Sequence, residues 1–426
     1  MNKIPFISIA LALFFVSCTT IKVELNKVNS SNVKVDTINY IFSKFHTPYR
    51  ILRPEEAYNF ATTESQKIAA EGLKYLMQNR YEDAAETFVN AMIESDSLEK
   101  LWDYFPTIYY GSINYNWRKL EEIENVRIGS TDSSFIFYKD KPEFNIEFIA
   151  DSVIIPIKLK YGFPLIKVKI NGKYYYFVVD TGCNITLIGK NIATKNNIIY
   201  GNKETKVKAI DGYITTFDGF LPELDLEKIK IFNFPVDVVN RNDAVKSKIL
   251  FITFIKCDGI IGWDLLSKFD FTIDYKNKQL ILRKPIEKNI VQRNLFWYHI
   301  PILKFYSSSN YPLLFFFDSG SNLSHFNKLS ISRVFGIDTN NLKKSNKRLL
   351  GAANKLIKNR YYKYSNFQCY TLANDEISFL SVNKVLLKDI WQDYSPVSTD
   401  GILGSNWFKN KAIRVDMLNG IFEITE

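Results

Sequence analysis

A mainly β chain is expected, built from two copies of one β lobe joined end to end and preceded by an α-helical segment. Three observations predict it. The run Phe177-Val178-Val179-Asp180-Thr181-Gly182 returns 138 residues later as Phe315-Phe316-Phe317-Asp318-Ser319-Gly320. Each copy is followed by a second matching block, Asp258-Gly259-Ile260-Ile261-Gly262 and Asp400-Gly401-Ile402-Leu403-Gly404, at separations of 80 (180 to 260) and 84 residues (318 to 402). Upstream, from Ser65 to Ile123, apolar and small residues recur at helical spacing. Self-similarity in fixed order over about 130 residues marks an internal duplication.

The chain opens with Lys3 and an apolar run, Ile4 to Val16, ending in Ser17-Cys18. That run is too short to span a membrane and reads as a secretory signal peptide, residues 1–17. Phe15-Val16-Ser17-Cys18 resembles a bacterial lipobox. The resemblance implies cleavage before Cys18, lipidation of that residue, and a domain exported and held at a bacterial membrane, at the outer membrane or cell surface. Residues 18–55 are expected to be anchor and linker, with some strand content at Ile21 to Leu25.

Residues 56–125 form the helical segment. Gly72, Tyr75, Ala84, Phe88 and Ala91 match the small and aromatic positions of a tetratricopeptide repeat, with Arg80 and Tyr81 at the turn. A single such repeat is not stable alone. A helical hairpin packed on the β lobes is an equal reading. Between 125 and 160 the pattern turns to strands, as in Ser134 to Tyr138 and Val153 to Ile157.

Lobe one is placed at 145–285 and lobe two at 290–426, with polar Pro285 to Val291 between them. Tyr174 to Val179 is aromatic and β-branched and reads as a buried strand. Asn171-Gly172 before it signals a tight hairpin. Ile300 to Phe305 and Leu313 to Phe317 repeat the arrangement in lobe two. Phe271-Thr272-Ile273-Asp274 aligns with Ile413-Arg414-Val415-Asp416, and Asn277 with Asn419.

The formal charge of +10 is scattered over Lys/Asn-rich loops such as Lys343 to Arg348. No RNA-binding motif accompanies it, so a solvated surface is expected and nucleic acid is not. Three His (His46, His299, His325) and four Cys occur. None has the spacing of a zinc site, and neither metal nor cofactor is expected. Three Cys remain beside Cys18, too few for a disulfide scaffold. Cys183 and Cys257 lie near the two blocks of one lobe, and a bond between them is left open.

Each Asp of the repeated block thus sits where an apolar strand breaks into a tight turn. Gly after the hydroxyl residue gives the turn its backbone freedom. A lone carboxylate buried there is costly and needs a reason.

The pair Asp180-Thr181-Gly182 and Asp318-Ser319-Gly320, each with its downstream hydrophobic-hydrophobic-Gly, resembles the aspartic proteases. Ile260-Ile261-Gly262-Trp263-Asp264-Leu265-Leu266 is similar to the retropepsin-like form of that block. Two copies in one chain are closer to pepsin. The resemblance covers roughly residues 150–426 and implies a bilobal, duplicated β-barrel fold with Asp180 and Asp318 as the catalytic pair. It implies that Thr181 and Ser319 lock the two turns together and that Gly182 and Gly320 admit backbone N–H groups. Cys183 departs from the pattern. It stands where relatives carry Ser, Thr or Ala, so the family's hydrogen bond is expected to weaken there.

Asp211-Gly212-Tyr213 lies between strand-like arms at the place of the family's flap. A peptide or protein substrate is the expected partner, together with the membrane, and the chain is expected to act as a monomer. The rival reading is a catalytically silent lipoprotein of the same fold that binds peptide or protein.

Overall fold

The computed structural model describes residues 44–95, 102–128, 133–209, 211–249, 252–338, 341–350, 353, 356–374, 376–382, 385–388 and 396–425. The signal peptide, Cys18 and the strand expected at Ile21 to Leu25 lie outside the described residues. The fold is mainly β, with most of the described helices before residue 140 and short ones, such as Lys190–Lys195 and Lys328–Phe335, among the strands. Two ten-stranded sheets, a five-stranded sheet and a two-stranded ribbon make up its β part.

The two large sheets share a core of six strands in one order. In the N-terminal sheet these are Ile229–Val239, Leu187–Gly189, Gly259–Ile261, Lys173–Val179, Phe163–Ile170 and Gly212–Asp225. In the C-terminal sheet they are Val385–Lys388, His325–Asn327, Gly401–Gly404, Pro312–Asp318, Pro301–Ser307 and Phe367–Ala373. In both, the successive pairings run parallel, antiparallel, parallel, antiparallel, antiparallel.

The strand leading to each Asp therefore lies beside the strand of the downstream Gly block. Val178 is opposite Ile260, and Phe316 opposite Ile402. Strands flanked on both sides and packed on both faces read as continuous apolar runs, which is why Phe315, Phe316 and Phe317 are all buried. The first lead strand differs from that expectation. It alternates, with Tyr174 and Tyr176 facing solvent and Tyr175 and Phe177 buried. Asn171 and Gly172 both have positive φ, as the two-residue hairpin turn requires.

The five-stranded sheet joins the two. Its centre is the antiparallel pair Asp270–Asp274 and Ala412–Asp416, the segments that align across the repeat. Asp274 holds Asn277 through its N–H (2.8 Å) and amide (2.7 Å), and Asp416 holds Asn419 likewise (3.2 and 2.7 Å). Arg414 reaches across to Asp270 at 2.9 Å and to Glu423 at 3.0 Å.

Glu64–Met77 and Tyr81–Ile93 form a helical pair closed at Gly72, where a Cβ would fall 2.6 Å from the Phe88 ring. These helices pack on the β part rather than stand apart. The Tyr81 hydroxyl accepts the Trp297 N–H (3.1 Å), Tyr49 bonds Tyr298 (2.8 Å), and Asn79 donates to the Met417 carbonyl (2.7 Å). On the other flank the half-buried Lys268 donates to the Ile113 carbonyl, and Tyr138 donates to the Gly219 carbonyl (3.0 Å).

Two local expectations are corrected. His46–Arg50 is helix, not linker, and Pro54–Phe60 starts the helical segment two residues ahead of the expected boundary. Each is too short to show a period, and each is held by a buried anchor, Tyr49 or Ala57. Ser133–Tyr138 is helix, not strand. Its aromatic and β-branched residues favour a strand only where a strand offers pairing; here Tyr138 stacks instead on Trp117, with centroids 4.3 Å apart.

Candidate active site

The N–H of Asp180 donates to the Ile261 carbonyl (3.0 Å), tying the end of the lead strand to the Gly block. The chain then turns, and the Asp180 carbonyl accepts the Cys183 N–H (3.2 Å), as that of Asp318 accepts the Ser321 N–H (3.1 Å). Both carboxyl groups are buried, at 2 % and 0 % exposure, and both neighbouring hydroxyl residues are fully buried.

The two turns grip each other. Thr181 Oγ1 donates to the Phe317 carbonyl (3.0 Å) and accepts the Ser319 N–H (2.9 Å). Ser319 Oγ donates to the Val179 carbonyl (2.9 Å) and accepts the Thr181 N–H (2.9 Å). Four bonds thus cross between segments 138 residues apart. Each hydroxyl acts as donor and acceptor at once, which Ala or Val cannot do.

This brings the carboxyl groups together. Asp180 lies so close over the second turn that a Cβ on Gly320 would fall 2.1 Å from its Cγ. Burial raises the Asp180 carboxyl above the ordinary carboxylate range. The Gly182 N–H (2.9 Å), the Asp318 side chain and the N–H groups of Gly320 and Cys183 pull the other way. Two buried carboxyl groups in contact do not both ionise readily.

The turns are braced from below in the same manner. Asp258 exchanges bonds with Tyr176, its N–H to the carbonyl (2.8 Å) and its carboxylate to the N–H (2.9 Å). Asp400 does so with Leu314 (2.6 and 2.8 Å). Thr186 bonds Asp264 through its N–H and hydroxyl, both at 2.8 Å. Ser324 bonds Asn406 through the same two groups at 2.6 and 2.9 Å. Sequence reading missed Thr186, Ser324 and Asn406, and placed Asp264 in its block without a role. Their signal was present, since both pairs keep the offset of their blocks, 78 and 82 residues apart.

Tyr275 was missed as well. Its hydroxyl is buried without a hydrogen-bond partner, and burial, then the nearby Asp318 and Asp180, suppress its ionisation. The corresponding residue after Asp416 is Met417. Cys183 Sγ turns to the Ile185 carbonyl (3.1 Å), as Ser321 Oγ turns to that of Leu323 (3.0 Å). The thiol thus repeats the hydroxyl's local bond. Cys183 and Cys257 share one apolar cluster, but no disulfide joins them among the described residues.

The flap candidates do form a hairpin, Thr205–Ala209 against Gly212–Asp225. Asp211 is buried at its tip and accepts the Ala353 N–H (2.9 Å), while Tyr213 stands in solvent. Gly212, at φ +147°, takes a conformation that a side chain would strain. Among the described residues no cluster of three His, Cys, Asp or Glu could hold a metal ion.

Residues 166–265 match the aspartyl protease family, a span that holds Asp180, the hairpin and the first Gly block. Comparison with curated proteins gave no match. The family match supports an aspartyl-protease-like protein.

Proposed function

We propose that the chain is an aspartic endopeptidase whose two lobes, 145–285 and 290–426, arose by duplication and each give one Asp to a shared site. The observation that carries this reading is the reciprocal Thr181–Ser319 grip, which sets Asp180 over Gly320 beside Asp318. The ionised carboxylate takes a proton from water as the water oxygen attacks the scissile carbonyl. The protonated carboxyl hydrogen-bonds the carbonyl oxygen as charge develops there. Collapse of the tetrahedral species breaks the C–N bond, and the proton gained from water goes to the leaving amine. The hairpin at Asp211, Gly212 and Tyr213 is assigned as the cover that keeps the site dry.

The helical segment braces both lobes and is not read as a peptide-binding repeat. Export and a lipid on Cys18 complete the proposal; no described helix is long and apolar enough to cross a membrane. Cys18→Ala should release the protein from the membrane fraction or stall its processing, and an unchanged fractionation pattern would defeat the anchor.

The activity is tested by incubating the purified protein with a mixed peptide library across a pH series and reading cleavage by mass spectrometry. Products that vanish in Asp180→Asn support the enzyme. A wild-type protein that binds peptides but cuts none is the silent binding module.

A further inference from the structure

A cavity of about 330 Å³ opens at the seam of the two lobes, lined by Tyr161, Gly162, Asn322, Ser405, Asn406 and Lys409. The first two form the tip of a lobe-one hairpin, with Lys160 paired to Phe163. The tip is seated on lobe two, where Asn322 Nδ2 donates to the Tyr161 carbonyl (3.0 Å).

The cavity's walls are more apolar than polar, but two polar groups in them lack partners. Ser405 is 1 % exposed, and its Oγ has no hydrogen-bond partner; Asn322 Oδ1 has none either. Buried polar groups of this kind are costly unless something completes them. Lys409 is exposed and forms no ion pair among the described residues.

The counterpart positions show why the space exists. Leu165 pairs with Val178 and Ile302 with Phe316, so Gly162 and His299 occupy the same place three residues earlier. Both have positive φ, +92° and +66°. Ser405 follows Gly404 as Trp263 follows Gly262. His299 and Trp263 are both buried, and His299 stacks on Phe105 of the helical segment. The positions equivalent to Gly162 and Ser405 thus carry two large rings, while Gly and Ser leave space at the cavity. A Cβ on Gly162 would already crowd Ser405 Oγ at 3.2 Å.

We propose that this cavity is a subsite for a carboxylate carried by the peptide substrate, held by the Lys409 ammonium and the Ser405 hydroxyl, with Asn322 Oδ1 taking a peptide N–H. The proposal rests on the peptidase reading for the path of the peptide. Asn322 is four residues beyond Asp318, at most ~14 Å along the chain. An extended peptide covers that distance in about four residues. The carboxylate belongs to an acidic side chain or to the peptide's own C-terminus, and the two sources are separable.

Short peptides with a reduced, uncleavable central bond would carry Glu or Gln at each position in turn, and a free or amidated C-terminus. Their binding to the full chain is read by fluorescence anisotropy, with cleavage of the unreduced peptides followed in parallel. Glu should bind about tenfold tighter than Gln at one position, and Lys409→Glu should invert the ratio. If only the free C-terminus gives the preference, and Lys409→Glu inverts it, the carboxylate is the chain end. Equal binding throughout, no binding, or a preference that survives Lys409→Glu overturns the subsite. A Lys409-dependent preference without any cleavage retains the subsite and defeats the peptidase reading alone.

Discussion

Next to the two Asp residues, the two ten-stranded sheets repeat most of their hydrogen bonds; one layer farther out they part. Thr181 and Ser319, Asp258 and Asp400, and Cys183 and Ser321 make the same contacts. Yet Tyr275 faces Met417 across the comparison, Trp263 faces Ser405, and His299 faces Gly162. The inner layer serves a pair that works as one unit, so a change in one turn would misplace both carboxyl groups. The outer layer meets different neighbours. Helices cover lobe two at Trp297, Tyr298 and His299, while the seam at Gly162 stays open. The two sheets repeat one strand order, and packing of the helices against only one of them breaks the likeness.

The sharpest break of the comparison is at the carboxyl groups. Asp180→Asn and Asp318→Asn should each lower peptide cleavage by roughly 10⁴-fold, and the double variant should be little worse, because the pair acts jointly. Steady-state kinetics on one library-derived peptide checks this, and a large difference between the two single variants would show that the lobes are not equivalent.

Next in size are the hydroxyls. Thr181→Val and Ser319→Ala should each cost about 2–4 kcal/mol, since each strands a buried carbonyl and a buried N–H. Urea unfolding should give nearly equal losses if the grip is as reciprocal as its distances.

The proton comes third. Cleavage needs one proton on the pair, and burial raises the Asp180 carboxyl. The alkaline limb of the pH–rate profile should therefore lie above the range of an ordinary carboxylate, toward neutral pH. For stability the sign follows from linkage. A carboxyl raised in the folded state contributes most below its unfolded value of about 3.9, and that contribution is lost as pH rises through the folded value. Asp180→Asn should match the wild type in strong acid and exceed it in thermal stability at neutral pH. A constant difference at all pH values would contradict a raised Asp180.

The smallest effect concerns the brace. Tyr81→Phe removes the acceptor for the Trp297 N–H and should cost about 1–2 kcal/mol, with the midpoint of thermal unfolding lowered and the helices retained by circular dichroism. No shift would mean that the helical segment contributes little to lobe two.

The sequence by itself determined what repeats. An apolar run broken by Asp, a hydroxyl residue and Gly, followed 80 or so residues later by a Gly block, is local in each part and needs no partner to be recognised. The Asn171-Gly172 and Asp211-Gly212 hairpins were legible for the same reason, because turn chemistry is written in two residues. The side-chain pairs that brace the turns keep the repeat's offset but change residue type, from Asp264 to Asn406 and from Thr186 to Ser324, which hides their equivalence.

Only the tertiary structure decided what depends on a neighbour far along the chain. Ser133–Tyr138 folds as helix because Trp117 gives Tyr138 a stacking partner where no strand is free to pair. Tyr49 and Tyr81 hold the helices to strands more than 200 residues away. The seam cavity exists because Gly162 and Ser405 come from opposite lobes, and two small residues 243 positions apart (405 − 162) carry no joint signal until packing sets them side by side.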